Sequence, residues 1–229
     1  ATYGEYVARF VAEVKPNVLC VDHYPDFDEG TAVRTNKTKA GYIANLLVLR
    51  AAALSATPPL PVWNFFNAMP YNAVSQYDVS GGELRWQAFT SIALGVKGVL
   101  YFCYWTPPGF GRGQAIMTPA PGSHPADIAN QVPSQKYPLV AALNAKLKVL
   151  GGWLLHRVSS GVVQANGTAA STAAVAAGAC PITSINGTAT GPTWAFLLGL
   201  FDRNSTVVLV NQDANHPALA TLGLRGGAP

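Results

Sequence analysis

The apolar positions of this 229-residue chain change period once, near residue 156. Before that point, helical and strand patterns alternate. Thr2-x-x-Glu5 has the form of a capping box, in which each end residue satisfies the other's backbone N–H. Tyr6, Val7, Phe10, Val11 and Val14 follow it at helical spacing. Lys15-Pro16 ends that helix, and Val18-Leu19-Cys20-Val21 is a continuous apolar run, as expected of a parallel strand covered on both faces. It finishes in Asp22-His23-Tyr24-Pro25. A second helix is predicted over residues 40–56, stopped by Pro58-Pro59, and a second strand over Pro61 to Phe66, ending at Asn67. Ser80-x-x-Glu83 is a second capping box, opening a helix whose inner face carries Leu84, Phe89, Ile92 and Ala93. Gly95 and Gly98 bracket the turn into a third strand, Val99 to Trp105. A Pro/Gly-rich loop then leads to a last helix over residues 135–155. Helices and strands alternating at this spacing predict adjacent parallel strands with helical crossovers.

From Arg157 the pattern is that of strands. Ser159 to Gln164 and Trp194 to Leu200 are predicted strands. Asp202-Arg203-Asn204-Ser205 is a turn, and Thr206 to Asn211 pairs back as a hairpin. Residues 166–179, rich in Ala, Ser, Thr and Gly, are predicted as a loop. The chain therefore divides into an α/β part over residues 1–155 and an incomplete β-sandwich over 156–229. A sandwich usually needs about seven strands.

Composition narrows the function classes. Charged residues make up only 11% of the chain, and the 15 basic residues that give the net charge of +4 are scattered. No basic run interleaves with aromatics, so no nucleic-acid partner is expected. The longest apolar stretches fall short of the roughly 20 residues a membrane helix needs. No pair of the three cysteines, Cys20, Cys103 and Cys180, has metal-ligand spacing, and nothing calls for a cofactor. Asn36, Asn166, Asn186 and Asn204 each begin an N-x-S/T sequon. All four lie in segments predicted as loops or turns, and they point to a secretory route and an extracellular or cell-surface location. Ala1 does not open a signal peptide, so the chain is expected to be mature or internal to a longer polypeptide.

Three strand ends carry a resemblance. Asn17 to Pro25 resembles the sixth strand of a clan A type glycoside hydrolase barrel, and Pro61 to Asn67 the seventh. Glu83 to Trp105, with its Arg85-x-Gln87 helix, Gly95-x-Lys97-Gly98 turn and Tyr104-Trp105 strand end, resembles the seventh helix and eighth strand of family 42 β-galactosidase-like barrels and their secreted relatives. The resemblance implies the C-terminal part of a (β/α)8 TIM barrel, about strands 6–8, followed by the start of an all-β domain. Because three strands cannot close a barrel of eight, the remainder is expected from the same polypeptide or a cleaved N-terminal partner.

In such barrels the active site lies at the C-terminal strand ends. Those ends carry Asp22, His23, Tyr24, Asn67, Tyr104 and Trp105, polar groups and aromatic faces suited to carbohydrate. The resemblance places the nucleophile Glu at the end of the seventh strand, where this chain has Phe66-Asn67-Ala68. An amide cannot form a glycosyl ester. Setting aside the capping, helix-surface and late-loop acids leaves Asp22, Asp26, Asp28, Glu29 and Asp78, of which Asp22 is the best candidate for catalysis, with hydrogen bonding to loop backbone or His23 as its alternative role. Asp22, Asp26, Asp28 and Glu29 also present oxygen ligands of the kind a divalent cation takes. Two functional classes stay open: a divergent glycosidase, or a glycosidase-like extracellular protein that binds carbohydrate or serves a structural role. A flavodoxin-like or Rossmann-like domain would need a Gly-rich phosphate loop after a strand, and none is present. Natively purified protein is expected to carry glycan on one or more of the four sequons, and intact mass before and after deglycosylation measures it.

Overall fold

The computed structural model describes residues 2–25, 39–70, 78–108, 114–124, 127–168, 181–190, 194–203 and 205–225. Helix α1 (Tyr3–Val14) opens with the Thr2–Glu5 capping box, both hydrogen bonds of which are formed. Lys15 closes it in the left-handed conformation. Strand β1 (Leu19–Asp22), helix α2 (Lys39–Ser55), strand β2 (Val62–Asn67), helix α3 (Gly81–Ala93) and strand β3 (Gly98–Phe102) follow in order. The three strands form one parallel sheet in the order β1-β2-β3, Cys20 facing Trp63 and Trp63 facing Gly98. This is the adjacency the alternating pattern predicts. The Ser80–Glu83 capping box is also complete.

Among the described residues no sheet closes on itself, and the predicted partial TIM barrel is not the architecture found. The parallel sheet is a three-stranded ribbon whose outer strands, β1 and β3, each keep an unpaired edge among those residues. Closure would need a strand on each of these edges. Instead the chain leaves β3 into a small antiparallel pair, β4 (Met117–Pro119) with β5 (Gln131–Pro133), inside the segment predicted as loop, and then enters helix α4 (Lys136–Leu154).

One face of the parallel sheet is covered by helices. Leu19, Val62, Asn64 and Phe66 are buried there against Tyr42, Ile43, Leu46 and Leu49 of α2 and Leu84, Trp86 and Ala88 of α3. The Tyr101 hydroxyl donates to Asn144 Oδ1 of α4 at 2.7 Å. The opposite face carries Cys20, Asp22, Trp63, Phe65, Leu100 and Phe102, which follows from the period of two along a strand. Cys20 and Asp22 are exposed, Trp63 is 42% exposed, and Phe65, Leu100 and Phe102 are half-buried. The Trp63 indole lies across Gly98, where any Cβ would come within 2.7 Å of the ring.

Where the sequence predicted an incomplete β-sandwich, the β part consists of two small antiparallel sheets. Strands β6 (Ser159–Ala165), β8 (Phe196–Phe201) and β9 (Thr206–Asn211) form an antiparallel sheet in the order β6-β8-β9. Strands β7 (Ile182–Ala189) and β10 (Ala218–Leu224) form a second antiparallel pair. Phe196, Leu198 and Leu200 face this pair and share a core with Ile182 and Ile185. Leu197 faces the other way and joins the core around α3. Every residue of β8 is therefore buried, and α3 lies between two sheets. At their contact, the backbone of Gly199 meets the Ala93 carbonyl with no room for a side chain. Gly199→Ala is expected to destabilise the protein by about 1–3 kcal/mol through overpacking, read as a lower urea midpoint at unchanged slope.

Candidate functional site

A buried polar chain fixes the middle strand. Asn64 is wholly buried, and its Nδ2 donates to the Tyr42 hydroxyl at 2.5 Å and to Ser91 Oγ at 2.8 Å. Ser91 Oγ in turn donates to the Gln87 carbonyl at 2.6 Å. One turn earlier on α3, Gln87 holds the backbone of Asn67 from both sides, Oε1 accepting from its N–H at 3.2 Å and Nε2 donating to its carbonyl at 2.9 Å. Burial pushes the Tyr42 phenol well above its ordinary value, and the hydrogen bonds to Ser91 and Asn64 oppose that only in part. The C-terminal end of β2 is thus set by side chains of α2 and α3.

The residues predicted for the site do not share one surface. Asp22 and Tyr24 stand on the uncovered face. The Tyr24 hydroxyl donates to the Asp22 carboxylate, and its ring packs on Phe102 at 5.4 Å between centroids. Phe65 flanks the same Phe102 ring at 6.4 Å. His23, one residue out of phase, turns to the helix face. There its Nδ1 meets Asn45 Nδ2 at 2.7 Å and its ring lies edge-on to Tyr42. Asn67 is fully enclosed, its Nδ2 reaching the Met69 carbonyl at 3.5 Å. Tyr104 and Trp105 are 48% and 47% exposed and meet edge to face at 5.3 Å.

The backbone around Tyr104 and Trp105 is tied to the segment that follows. Met117 N donates to the Tyr104 carbonyl at 2.7 Å, and Thr106 N to the Met117 carbonyl at 3.0 Å. Thr106 Oγ1 also accepts from Ala115 N, and Ser134 ties the same segment to the start of α4. Below it, Lys136 pairs with Asp78 and donates to the Gln114 carbonyl at 2.5 Å. Burial lowers the Lys136 ammonium's affinity for its proton, and Asp78 works against that. Sequence reasoning missed this ion pair. The pattern places Lys136 at a helix start and Asp78 in the loop after a strand end, 58 residues apart, with nothing to join them.

Cys20 and Cys103 are free. They belong to β1 and to the residue after β3, with β2 between. Two strand spacings of about 4.8 Å exceed the Cα reach of a disulfide. Burial raises both thiols, aided at Cys20 by the Asp22 charge and opposed at Cys103 by Lys136. Among the described residues no group of three or more His, Cys, Asp and Glu could hold a metal ion. The acidic residues Asp26, Asp28 and Glu29 and the sequon residues Asn36 and Asn204 lie outside the described residues. Asn166 and Asn186 are exposed. Asn166 Oδ1 accepts from the Thr168 hydroxyl at 2.9 Å, while Asn186 lies within β7 and not in a turn. Among the described residues no helix is long and apolar enough to cross a membrane. Comparisons with family models, curated proteins and solved structures gave no match to this chain.

Burial, the hydrogen bond to Asp22 and the charge of Asp22 together push the Tyr24 phenol far above its ordinary value of 10.0. Tyr101 rises to about 12 through burial. A phenol whose folded value is raised contributes stability below the unfolded value, about 10, and loses it as pH climbs toward the folded value. Stability is therefore expected to fall above about pH 10. Asp22→Asn is expected to bring the Tyr24 ionisation down by removing the adjacent negative charge, as read by ultraviolet titration against a Tyr24→Phe reference.

Proposed function

We propose that this chain binds carbohydrate at the C-terminal end of its parallel sheet, with Tyr104 and Trp105 as stacking faces and Asp22 and Tyr24 as polar partners. The observation that carries the reading is the pair of large aromatics at the end of β3. Both are close to half exposed, and the segment that carries them is tied through main-chain bonds of Cys103, Tyr104 and Thr106 to Ile116 and Met117. Flat apolar rings held in water next to hydrogen-bonding groups suit sugars, which offer apolar C–H faces and hydroxyl edges together. Asp22 contributes an exposed acceptor in contact with Tyr24. The two described sequons, at Asn166 and Asn186, are exposed, which supports an extracellular setting for such a surface.

Binding without hydrolysis is the reading favoured by the charges. A retaining glycosidase needs two carboxyl groups about 5–5.5 Å apart. Of the described carboxylates near this end, Asp22 has no cation partner among the described residues and Asp78 is held by Lys136. The amide of Asn67 is sealed from solvent. Calorimetric titration with a panel of neutral oligosaccharides tests the reading. Saturable binding to at least one is expected, with Trp105→Ala weakening it at least about tenfold, or 1.4 kcal/mol. Trp153→Ala, at an exposed tryptophan on α4, is expected to bind as the parent does. No binding across the panel, or parental affinity in Trp105→Ala, would remove the proposal.

A further inference from the structure

The opposite, N-terminal end of the parallel sheet holds a second cleft, of about 230 Å³, where β2 begins and α4 hands over to β6. Pro61, Val62 and Leu94 form part of its apolar wall. Arg50, Lys97, His156, Arg157 and Ser159 also line it, and none of its lining residues is acidic.

Two of the cations there, Arg50 and Lys97, donate their hydrogen bonds to neutral groups. Arg50 Nε donates to Ser159 Oγ at 2.8 Å and Nη2 to the Ser159 carbonyl at 3.2 Å. A guanidinium has five N–H donors, so three remain, and burial already works against its charge. Lys97 Nζ donates to the carbonyls of Leu154 at 2.7 Å and Arg157 at 2.5 Å, and burial likewise disfavours its charged form, with Asp202 opposing. Asp202 itself is engaged by Arg157 Nη1 at 2.5 Å and by the Val158 N–H at 3.0 Å. His156 is exposed and makes no hydrogen bond within the described residues. Half-buried positive charges without an anionic partner are costly. An anion in this cleft would supply the missing counter-charge and take up the spare donors.

We propose that this cleft binds a tetrahedral oxyanion, phosphate or sulfate, either free or as an ester group on a larger molecule. The Arg50 fork provides bidentate contact of the kind guanidinium gives to such oxyanions, Lys97 a point charge, and His156 a donor from the exposed side. The proposal uses the other end of the sheet from the carbohydrate surface and does not depend on it.

The test titrates the full chain with inorganic phosphate, inorganic sulfate and glycerol phosphate, replacing chloride at constant ionic strength, and follows thermal midpoint and phosphorus NMR line width. A saturable rise in midpoint with at least one probe is expected. A response to the inorganic ions assigns a free-ion site, and a response to glycerol phosphate alone assigns an ester-group site. Arg50→Gln is expected to weaken binding at least about tenfold. Arg50→Lys should weaken it less, and Arg9→Gln, at a surface residue of α1 paired with Glu13, not at all. Equal midpoints in all salts, or unchanged binding in Arg50→Gln, overturns the proposal. Should Arg50→Gln fail to fold, the Arg50 Nε–H resonance of the parent protein decides. Movement on adding the probe that binds supports the site, and its absence overturns it.

Discussion

An amide in the middle of a parallel sheet has nowhere to look for water, and Asn64 is such an amide. Its Nδ2 is satisfied by one residue from each of two helices, Tyr42 on α2 and Ser91 on α3. Each such bond contributes only about 1 kcal/mol net, but a donor left without a partner in the core costs about 1–3 kcal/mol. The sheet and both helices are therefore tied together through this one donor group, while Asn64 Oδ1 has no hydrogen-bond partner among the described residues. Gln87 extends the constraint to the strand end by gripping Asn67. From there the chain runs to Met69, whose sulfur lies 3.5 Å from the Cys103 thiol. The start of the segment that carries the exposed aromatics beyond β3 is thus linked to buried polar groups of the helices.

The two ends of the sheet have opposite chemical character. At the C-terminal end aromatic rings and a carboxylate face solvent. At the N-terminal end Arg50 and Lys97 gather around the start of β2, held by backbone carbonyls and a serine. Both arise from the same topology. Parallel strands put all their beginnings on one side and all their ends on the other, so chemistry sorted along the sequence is sorted in space as well.

Much of the α/β part was legible because its signals are local. The capping boxes at Thr2 and Ser80 each fixed a helix start, and the apolar runs at 18–21, 61–66 and 99–105 marked strands whose order follows from the crossover rule, the third ending earlier than predicted, at Phe102. The extrapolation from three strands to a barrel rested on resemblance, and no long-range pairing among the described residues supports it. Single-residue periodicity explains the mixed outcome at the site. Asp22, His23 and Tyr24 are neighbours in sequence, yet a strand sends His23 to the face opposite the other two. The pairing of β7 with β10 was not legible, because 182–189 and 218–224 are short, rich in small residues and separated by two other strands. Nor could sequence reveal that α3 has two buried sides. Thr90 and Ser91 are polar, and both are wholly enclosed.

That double burial of α3 bears on the order in which the protein can assemble during synthesis. Trp86 and Ala93 find part of their covering in Leu197 and Val210, residues that leave the ribosome roughly a hundred positions later. A nascent chain that has completed the parallel sheet still displays one apolar side of its central helix. Domains form as units and exposed apolar surface invites association while they wait, so the interval between translating α3 and translating β8 is the period in which a chaperone would find its substrate here.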